Sequence, residues 1–528
     1  ENYLSYNDKF GDHTVSTMVG TSAEKERYET VNASKEGLVN NDANQQIINA
    51  ATKNPAASGS VSYHTMNSYF GRVFYSYADK YMITANIRWD GSSNFADKHR
   101  WGVFPSVSGG WNFREESFIK DVVGDWFSQG KFRAAWGEIG NQNISSGAYL
   151  TRYGNSTYYL LGNSMTPWLS GGRTNVGNPD LRWETTRQLD FGLDLAFFNS
   201  ALKFNIDYFD RKTSDMLVQV PMPAAIGLPN TPWSNAGSVK NRGFEFVLDY
   251  HGKIGNDFSY NIAGNISTYK NKVLSLGGGT NIPGKTHLGN QVNTMIEPGK
   301  PIGYFYGYKM DGVFQTQEEI NNYRGGPDNT IIMPTAEPGD LKFVDLNGDG
   351  KLGEEDRTMI GNPHPDFTFG LTLSGEYKGF DLSMFFQGSV GNDILNILKY
   401  DIYSGTGWYN APKDIFDKFW TGPGSTNENF AISANSRDNL TMSEWYIENG
   451  SYVRLKNVTL GYTFPKQWVQ KLTVQNLRLF VAAQNLFTIT SYSGLDPELG
   501  NSNPAFMGID MGWYPQARSF MVGLSLKL

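Results

Sequence analysis

Apolar and polar residues alternate one by one along most of this chain. Tyr81, Ile83, Ala85, Ile87 and Trp89 interleave with Met82, Thr84, Asn86, Arg88 and Asp90. Leu189, Phe191, Leu193 and Leu195 interleave with Gln188, Asp190, Gly192 and Asp194, and Phe367, Phe369, Leu371 and Leu373 with Thr368, Gly370, Thr372 and Ser374. The same period recurs through Leu202, Phe204, Ile206 and Tyr208, through Phe258, Tyr260 and Ile262, and through Phe520, Val522, Leu524, Leu526 and Leu528. Successive side chains of a strand point to opposite faces, so this period predicts strands with one apolar and one polar face. About fourteen are expected, near residues 14, 68, 81, 103, 131, 187, 201, 241, 258, 366, 379, 451, 477 and 518. Around Asn457 the apolar phase slips by one residue, which predicts a bulge.

A soluble sandwich shows the same alternation because it also has one wet face. The connections separate the two cases. Tight links near Asp79, Asn199, Gly252–Asn256 and Lys378–Gly379, with longer compact links over 113–130 and 465–476, alternate with long segments at 138–186, 211–240, 270–365, 389–450 and 488–517. Strict parity of short turns and long loops is the habit of an antiparallel transmembrane β-barrel with outer loops. No fixed-period repeat favours a propeller. The expected fold class is therefore all-β, a transmembrane barrel.

Composition sharpens this. Tyr (29), Phe (33) and Trp (13) together with 58 glycines suit strands and membrane interfaces better than a soluble helical protein. No run of 18 apolar residues marks a membrane helix, which leaves barrel strands untouched because each needs only about 9–11 alternating residues. A net charge of −7 without a basic tract argues against nucleic acid as partner, and zero Cys excludes disulfides and thiolate metal sites. The opening ENYLSYNDKF has neither a basic start nor an apolar core, so it is not a signal peptide.

The sharpest local motif runs from Asp345 through Asn347, Asp349, Gly350 and Lys351 to Asp356. It fits a calcium-loop template except for Asp at the closing position. Asp345, Asn347, Asp349 and Asp356 offer side-chain oxygens and Lys351 its carbonyl, and Gly350 permits the sharp turn, so calcium is the expected cofactor. A plain Asx/Gly-rich turn is the bland alternative. Glu115–Glu116 and Glu354–Glu355 are adjacent carboxylates without recognisable partners and read as solvated charge rather than as an acid/base pair. The six histidines (13, 64, 99, 251, 287 and 364) show no ligand spacing. LGGGTN at 276–281 lacks the Lys-Ser/Thr of a phosphate loop, so neither a nucleotide site nor an enzyme is expected. Tyr69, Tyr77, Tyr81, Trp89 and Trp183 read as membrane girdles. Trp168, Trp233, Trp408 and Tyr409, with Trp420 and Trp513, lie in loops, where they either pack or stack on a substrate.

Ten or so stretches, in order, resemble the SusC-like family of TonB-dependent outer-membrane transporters of Bacteroidetes. They include FPSVSGGWNF (104–113), GNQNI (140–144), NPDLRWETT (178–186), NAGSVKNRGFEF (235–246), GYFYGYKMDGVF (303–314), GDLKFVDLNGDG (339–350), IGNPHPDFTFGL (360–371), YKGFDLSMFFQGSVGND (377–393), ENGSYVRLKNVTLGYTFP (448–465), AQNLFTITSYSGLDPE (483–498) and YPQAR (514–518). The resemblance implies a plugged barrel of 22 strands, of which this chain is the C-terminal portion, with the plug, TonB box and signal peptide lying upstream. The family usually closes on an aromatic residue, where this chain has Leu528. It further implies active import of oligosaccharides or oligopeptides, energised through TonB, with a SusD-like surface lipoprotein and a dimer of transporter–lipoprotein pairs. The rival readings are a passive, plugless outer-membrane channel or adhesin, and a secreted all-β carbohydrate-binding protein.

Overall fold

The computed structural model describes residues 1–527 except 41, 161–166, 220–230, 278–280, 286–290, 404–408, 433–437, 470–473 and 502; for 155–160, 167–172, 174, 285 and 438 it describes the backbone alone. Fifteen long strands follow in chain order in one antiparallel sheet: β1 (Asn2–Phe10), β2 (His13–Glu36), β3 (Lys53–Tyr77), β4 (Tyr81–Ser92), β5 (Trp101–Trp111), β6 (Phe127–Asn141), β7 (Glu184–Phe197), β8 (Leu202–Ser214), β9 (Ser238–Ile254), β10 (Phe258–Ser275), β11 (Phe367–Tyr377), β12 (Phe380–Val390), β13 (Tyr452–Thr463), β14 (Asn476–Thr490) and β15 (Ser519–Lys527). By contact density the chain divides into two compact units, one of residues 1–110, 135–188 and 213–237, the other of 111–134, 189–212 and 238–528.

The tight links are hairpin turns with residues in the left-handed region. Ala78 and Asp79 (φ 50° and 55°) join β3 to β4, and Lys378 and Gly379 (φ 49° and 91°) join β11 to β12, the mirror-image turn whose twist suits paired strands. The expected bulge is present: Phe385 and Phe386, adjacent on β12, face Asn457 and Leu455 on β13, so Lys456 is the extra residue of that pair. One expectation needs correction. The strand count was one short, because Asn2–Phe10 pairs with β2 through a turn at Gly11 (φ 63°), and its mixed sequence hid the alternation. β2 and β3 are 24 and 25 residues long and stay in register from His13↔Tyr77 to Ser34↔Ala56, with a one-residue shift before Glu36↔Lys53. At ~3.3 Å per residue that hairpin reaches about 80 Å, more than twice a bilayer's hydrocarbon core.

The apolar faces of the strands are bare. In the first unit Tyr69, Val73 and Tyr77 on β3, Tyr81, Ile83, Ile87 and Trp89 on β4, and Trp101, Val103 and Val107 on β5 are all exposed. Tyr69 sits opposite Trp89 and Tyr77 opposite Tyr81. These two aromatic rows are eight residues apart, about 26 Å along the strand and so about 20 Å in height at the usual barrel tilt, close to the apolar band of an outer-membrane barrel. Trp101 joins the first row, its ring 6.0 Å from Tyr69 and 5.2 Å from Trp89. Trp183 does not belong to a girdle. It is buried against Phe95 and Phe104, and its indole N–H donates to the Arg100 carbonyl at 3.0 Å. Its position one residue before β7 suits either role, and local packing decides. In the second unit the bare rows include Ile262 and Ile266 on β10, Phe380 and Leu382 on β12, Leu479 and Val481 on β14, and Phe520, Val522 and Leu524 on β15.

Polar faces carry paired charges. Arg88 binds Asp90 at 2.8 Å and Ser68 at 2.9 Å in the first unit. In the second, Arg133 forks onto Asp194 (2.7 and 2.8 Å) and reaches Asp207, and Lys240 meets Asp210 at 2.7 Å. The large hydrophobic core lies off the sheet, in the connections. Phe305, Phe314, Leu341, Phe343, Leu395, Phe430 and Tyr446 are fully buried together, drawn from the β10–β11 and β12–β13 connections.

Candidate functional site

Two short hairpins rise from the connections of the first unit. Arg152–Leu160 pairs with Pro167–Asn175, and Leu217–Gln219 pairs with Trp233–Asn235. Their bases are held by the segments after them. Asn178 donates to the Trp233 carbonyl at 3.1 Å, and Arg182 and Asn235 exchange bonds, Arg182 N–H to Asn235 Oδ1 at 2.8 Å and Asn235 Nδ2 to the Arg182 carbonyl at 2.7 Å. Arg182 also pairs with Asp215 at 2.7 Å. Trp233 packs on the Phe95–Trp183 core. It also lines a cavity of about 320 Å³ shared with Arg152, Asn175, Gln219 and Thr231. Arg152 is anchored to the Ser146 carbonyl at 2.8 Å and Asn175 to that of Leu150 at 3.4 Å.

The second unit's connections build a body with its own core. Lys399 is largely buried, lies 4.8 Å from the Trp445 ring and pairs with Glu448 at 3.1 Å. Burial pushes the Lys399 ammonium below its ordinary value despite that partner. Burial raises the Glu448 carboxyl, but Lys399 and the Ser493 amide and hydroxyl together outweigh it, so Glu448 titrates below the usual range. A second buried group ties the last connection to β13. Arg454 binds Asp496 and Glu498, Lys456 binds Glu498 at 2.8 Å, and Asp496 also accepts the Gln516 amide at 2.8 Å. The bulge at Lys456 serves this junction, since Arg454 before it and Lys456 at it both reach Glu498. His364 is buried, with Nε2 3.0 Å from the Ile302 carbonyl and Nδ1 3.2 Å from the Tyr269 hydroxyl, and burial lowers its pKa.

The other aromatic candidates do not gather at one place. Trp168 lies on the strand Pro167–Asn175 with its side chain outside the described residues, and Trp408 lies outside them altogether. Tyr409 is exposed. Trp420 packs on the large core and donates to Gln315 at 3.2 Å, and Trp513 donates to the Ile509 carbonyl at 3.2 Å. Of the adjacent carboxylates, Glu115 pairs with Lys120 at 3.0 Å while Glu116 accepts the Trp111 indole at 3.1 Å, so the two diverge.

The Asp345–Asp356 loop folds as a self-capped turn. Asp345 accepts the amides of Gly348 (2.7 Å) and Gly350 (2.8 Å), Asn347 that of Asp349 (2.8 Å), and Asp349 that of Lys351 (2.9 Å). Asp356, fully buried, accepts Leu346 at 2.9 Å and Gly353 at 2.7 Å. Gly350 is required, since its φ is +85° and a Cβ would stand 2.4 Å from the Gly325 carbonyl oxygen. Among the described residues no three acidic or imidazole groups converge as a metal shell. The oxygens face amides instead of a common centre.

Reading residue types one at a time missed Gln219 and Asn175. Both matter only through the register that sets Gln219 opposite Trp233 and Asn175 opposite Arg152. No local signal in the sequence announces that pairing.

Comparison with known proteins places the chain. The family model for the β-barrel of TonB-dependent receptor-like proteins matches residues 2–486. TonB-dependent receptor P3 of Formosa agariphila is 36% identical over 100% of this chain and 52% of its own length. TonB-dependent receptor SusC of Bacteroides thetaiotaomicron is 31% identical over 99% of this chain and 49% of its own length. The chain thus spans about half the length of the curated relatives it matches. The solved RagAB peptide transporter superposes with a TM-score of 0.80 at 22% identity, over 99% of this chain and 54% of that one, a likeness of fold. With a bare apolar face on its strands and a match along nearly its whole length, the chain belongs to the SusC-like TonB-dependent receptors, outer-membrane β-barrels.

Proposed function

We propose that this chain supplies barrel wall and outer loops to an active importer of oligosaccharides or oligopeptides. The observation that carries the reading is the split between a wall with bare apolar rows and connections with a buried core. The wall suits lipid, since every backbone group inside a bilayer must be paired and a strand sheet pairs them. The connections suit the aqueous side, where a folded body can gather solute. The sequence carries no phosphate-loop motif, and energy enters from elsewhere, through TonB acting on a plug in the whole protein. A SusD-like lipoprotein covers the outer loops, and two transporter–lipoprotein pairs associate. RagAB is named a peptide transporter, and at 22% identity that likeness leaves glycan and peptide both open.

The test is uptake by cells carrying the whole transporter. Labelled oligosaccharides and oligopeptides should enter only while the inner membrane is energised, and a protonophore should stop them. Uptake that persists with the protonophore would make the protein a passive channel. We also propose that calcium is an accessory ligand of the Asp345–Asp356 loop, taken only when the carboxylates turn away from their amides.

A further inference from the structure

The cavity beside Trp233 has the chemistry of a sugar site. Gln219 and Trp233 are directly opposed across one hairpin, and Arg152 and Asn175 across the other. Opposed residues of an antiparallel pair project to the same face. Each hairpin therefore presents a matched pair, and both pairs line the same space of about 320 Å³. An indole offers a flat apolar surface with a polar edge. A pyranose ring has a C–H face of the same kind, rimmed by hydroxyls that both donate and accept. The primary amides of Gln219 and Asn175 and the Thr231 hydroxyl can do both as well, and the Arg152 guanidinium donates only. Among the described residues the Gln219 and Thr231 side chains have no hydrogen-bond partner in the protein. Among the described residues no carboxylate lines the cavity, so none of them meets a peptide's amino group or basic side chain. Among the described lining residues the largest aliphatic group is the Ala148 methyl. The volume sits at the small end of ligand pockets and suits one or two sugar rings.

We propose that this cavity is a subsite for a neutral oligosaccharide, with one ring stacked on Trp233 and its hydroxyls held by Gln219, Asn175 and Arg152. The inference rests on the import reading and narrows its substrate class to glycans.

The experiment uses the whole transporter, purified in detergent, against an array of neutral α- and β-linked oligosaccharides and a matched oligopeptide library. The best-bound glycan is then titrated calorimetrically. Gln219→Ala, at an exposed strand end, should weaken it about tenfold. Trp233→Ala should weaken it more, and Trp233→Phe should recover most of the loss, since a smaller ring still stacks. Trp233 also packs on the core, so Gln219→Ala decides if the tryptophan variant fails to fold. Unchanged affinity in Gln219→Ala and Trp233→Ala, with wild-type glycan uptake intact, would overturn the subsite and leave the importer standing. Binding of peptides but no glycan would overturn it too. Uptake of neither class by energised cells would remove both readings.

Discussion

The wall and the loop body of the second unit use the same residue types to opposite ends. On β10, Ile262 and Ile266 are exposed, as are Leu479 on β14 and Val522 on β15, whereas Phe305, Phe314 and Leu395 in the connections are fully buried. The loop body is a folded domain in the ordinary sense, its stability coming from apolar area withdrawn from water. The wall has no such core. Rows of apolar side chains this extensive exceed the few hundred Å² that a soluble monomer tolerates, so the wall acquires its stability only when lipid covers it. One polypeptide thus needs two solvents, and mutations should sort by which solvent their region requires.

The largest separation comes from emptying the loop core. Phe314→Ala removes a fully buried ring and should destabilise the loop body by about 3–5 kcal/mol. Limited proteolysis of the whole transporter should then cut within 282–361 or 393–450, while the barrel still migrates as a folded band in unheated detergent gels. A simultaneous loss of that band would mean that wall and loops fold as one unit. Next comes the converse. Ala85 stands four residues from each aromatic on the exposed row of β4, between Tyr81 and Trp89. Arg at that depth should cost about 2–4 kcal/mol in bilayer-embedded protein, and Thr84→Arg, on the other face, far less. Equal effects in urea titrations from lipid vesicles would contradict the assignment of the lipid face.

The wall was legible in the sequence because its rule is periodic. Where side chains must alternate between lipid and water, the pattern names the face, and short left-handed turns such as Lys378–Gly379 punctuate it. The first strand escaped because NYLSYNDKF mixes the two classes. The loop body escaped for a different reason. Tyr304–Tyr308 is a strand in which Tyr304 and Phe305, adjacent in sequence, are both buried, so no period marks it. The family stretches lie largely there and at the loop bases. NPDLRWETT and NAGSVKNRGFEF meet through Arg182 and Asn235. LDPE and YPQAR meet through Asp496 and Gln516 beside Arg454. Their resemblance to a family was visible in one dimension, but the contacts they make were not, since each pairs residues tens of positions apart. The same holds for the candidate site, where Trp233 was visible by type and Gln219 only through register.

A smaller effect probes the polar interior of the loop body. Glu448 and Asp496 both titrate lower in the folded chain than in the unfolded one, Glu448 through Lys399 and Ser493, Asp496 through Arg454 and the Gln516 and Glu498 amides, in each case against burial. These two carboxylates therefore bind fewer protons in the folded chain than in the unfolded one across the acid range. The stability these carboxylates add is full above about pH 4.5 and falls away as pH drops through their folded values. Lys399 acts on the alkaline side only, because its lowered pKa makes stability rise with pH toward its ordinary value near 10.4. Protease protection of the loops should thus decline as the pH falls below about 4.5. Glu448→Gln should cost about 1.5–3 kcal/mol at pH 7, since Lys399 loses its charged partner, and should flatten part of the acid decline. An unchanged acid profile in that variant would remove Glu448 from the account.

The smallest effect is expected of calcium, and the reason lies in the same contrast. A loop whose carboxylates hold one another apart gains greatly from a cation, because the ion removes repulsion and satisfies oxygens at once. The Asp345–Asp356 loop starts elsewhere. Its buried Asp356 already accepts the Leu346, Asn347 and Gly353 amides, and Asp345 the Gly348 and Gly350 amides. An ion must compete with those bonds, and only the difference appears as stability. Adding millimolar calcium in place of a chelator should therefore shift the thermal transition of the loop body by the equivalent of less than about 1 kcal/mol. Asp356→Ala, which strands three buried or half-buried amides, should destabilise it by more than that even when the chelator is present. Should calcium prove to stabilise the loops strongly, and should Asp356→Ala matter only in its presence, the turn would owe its shape to the ion and not to its own amides.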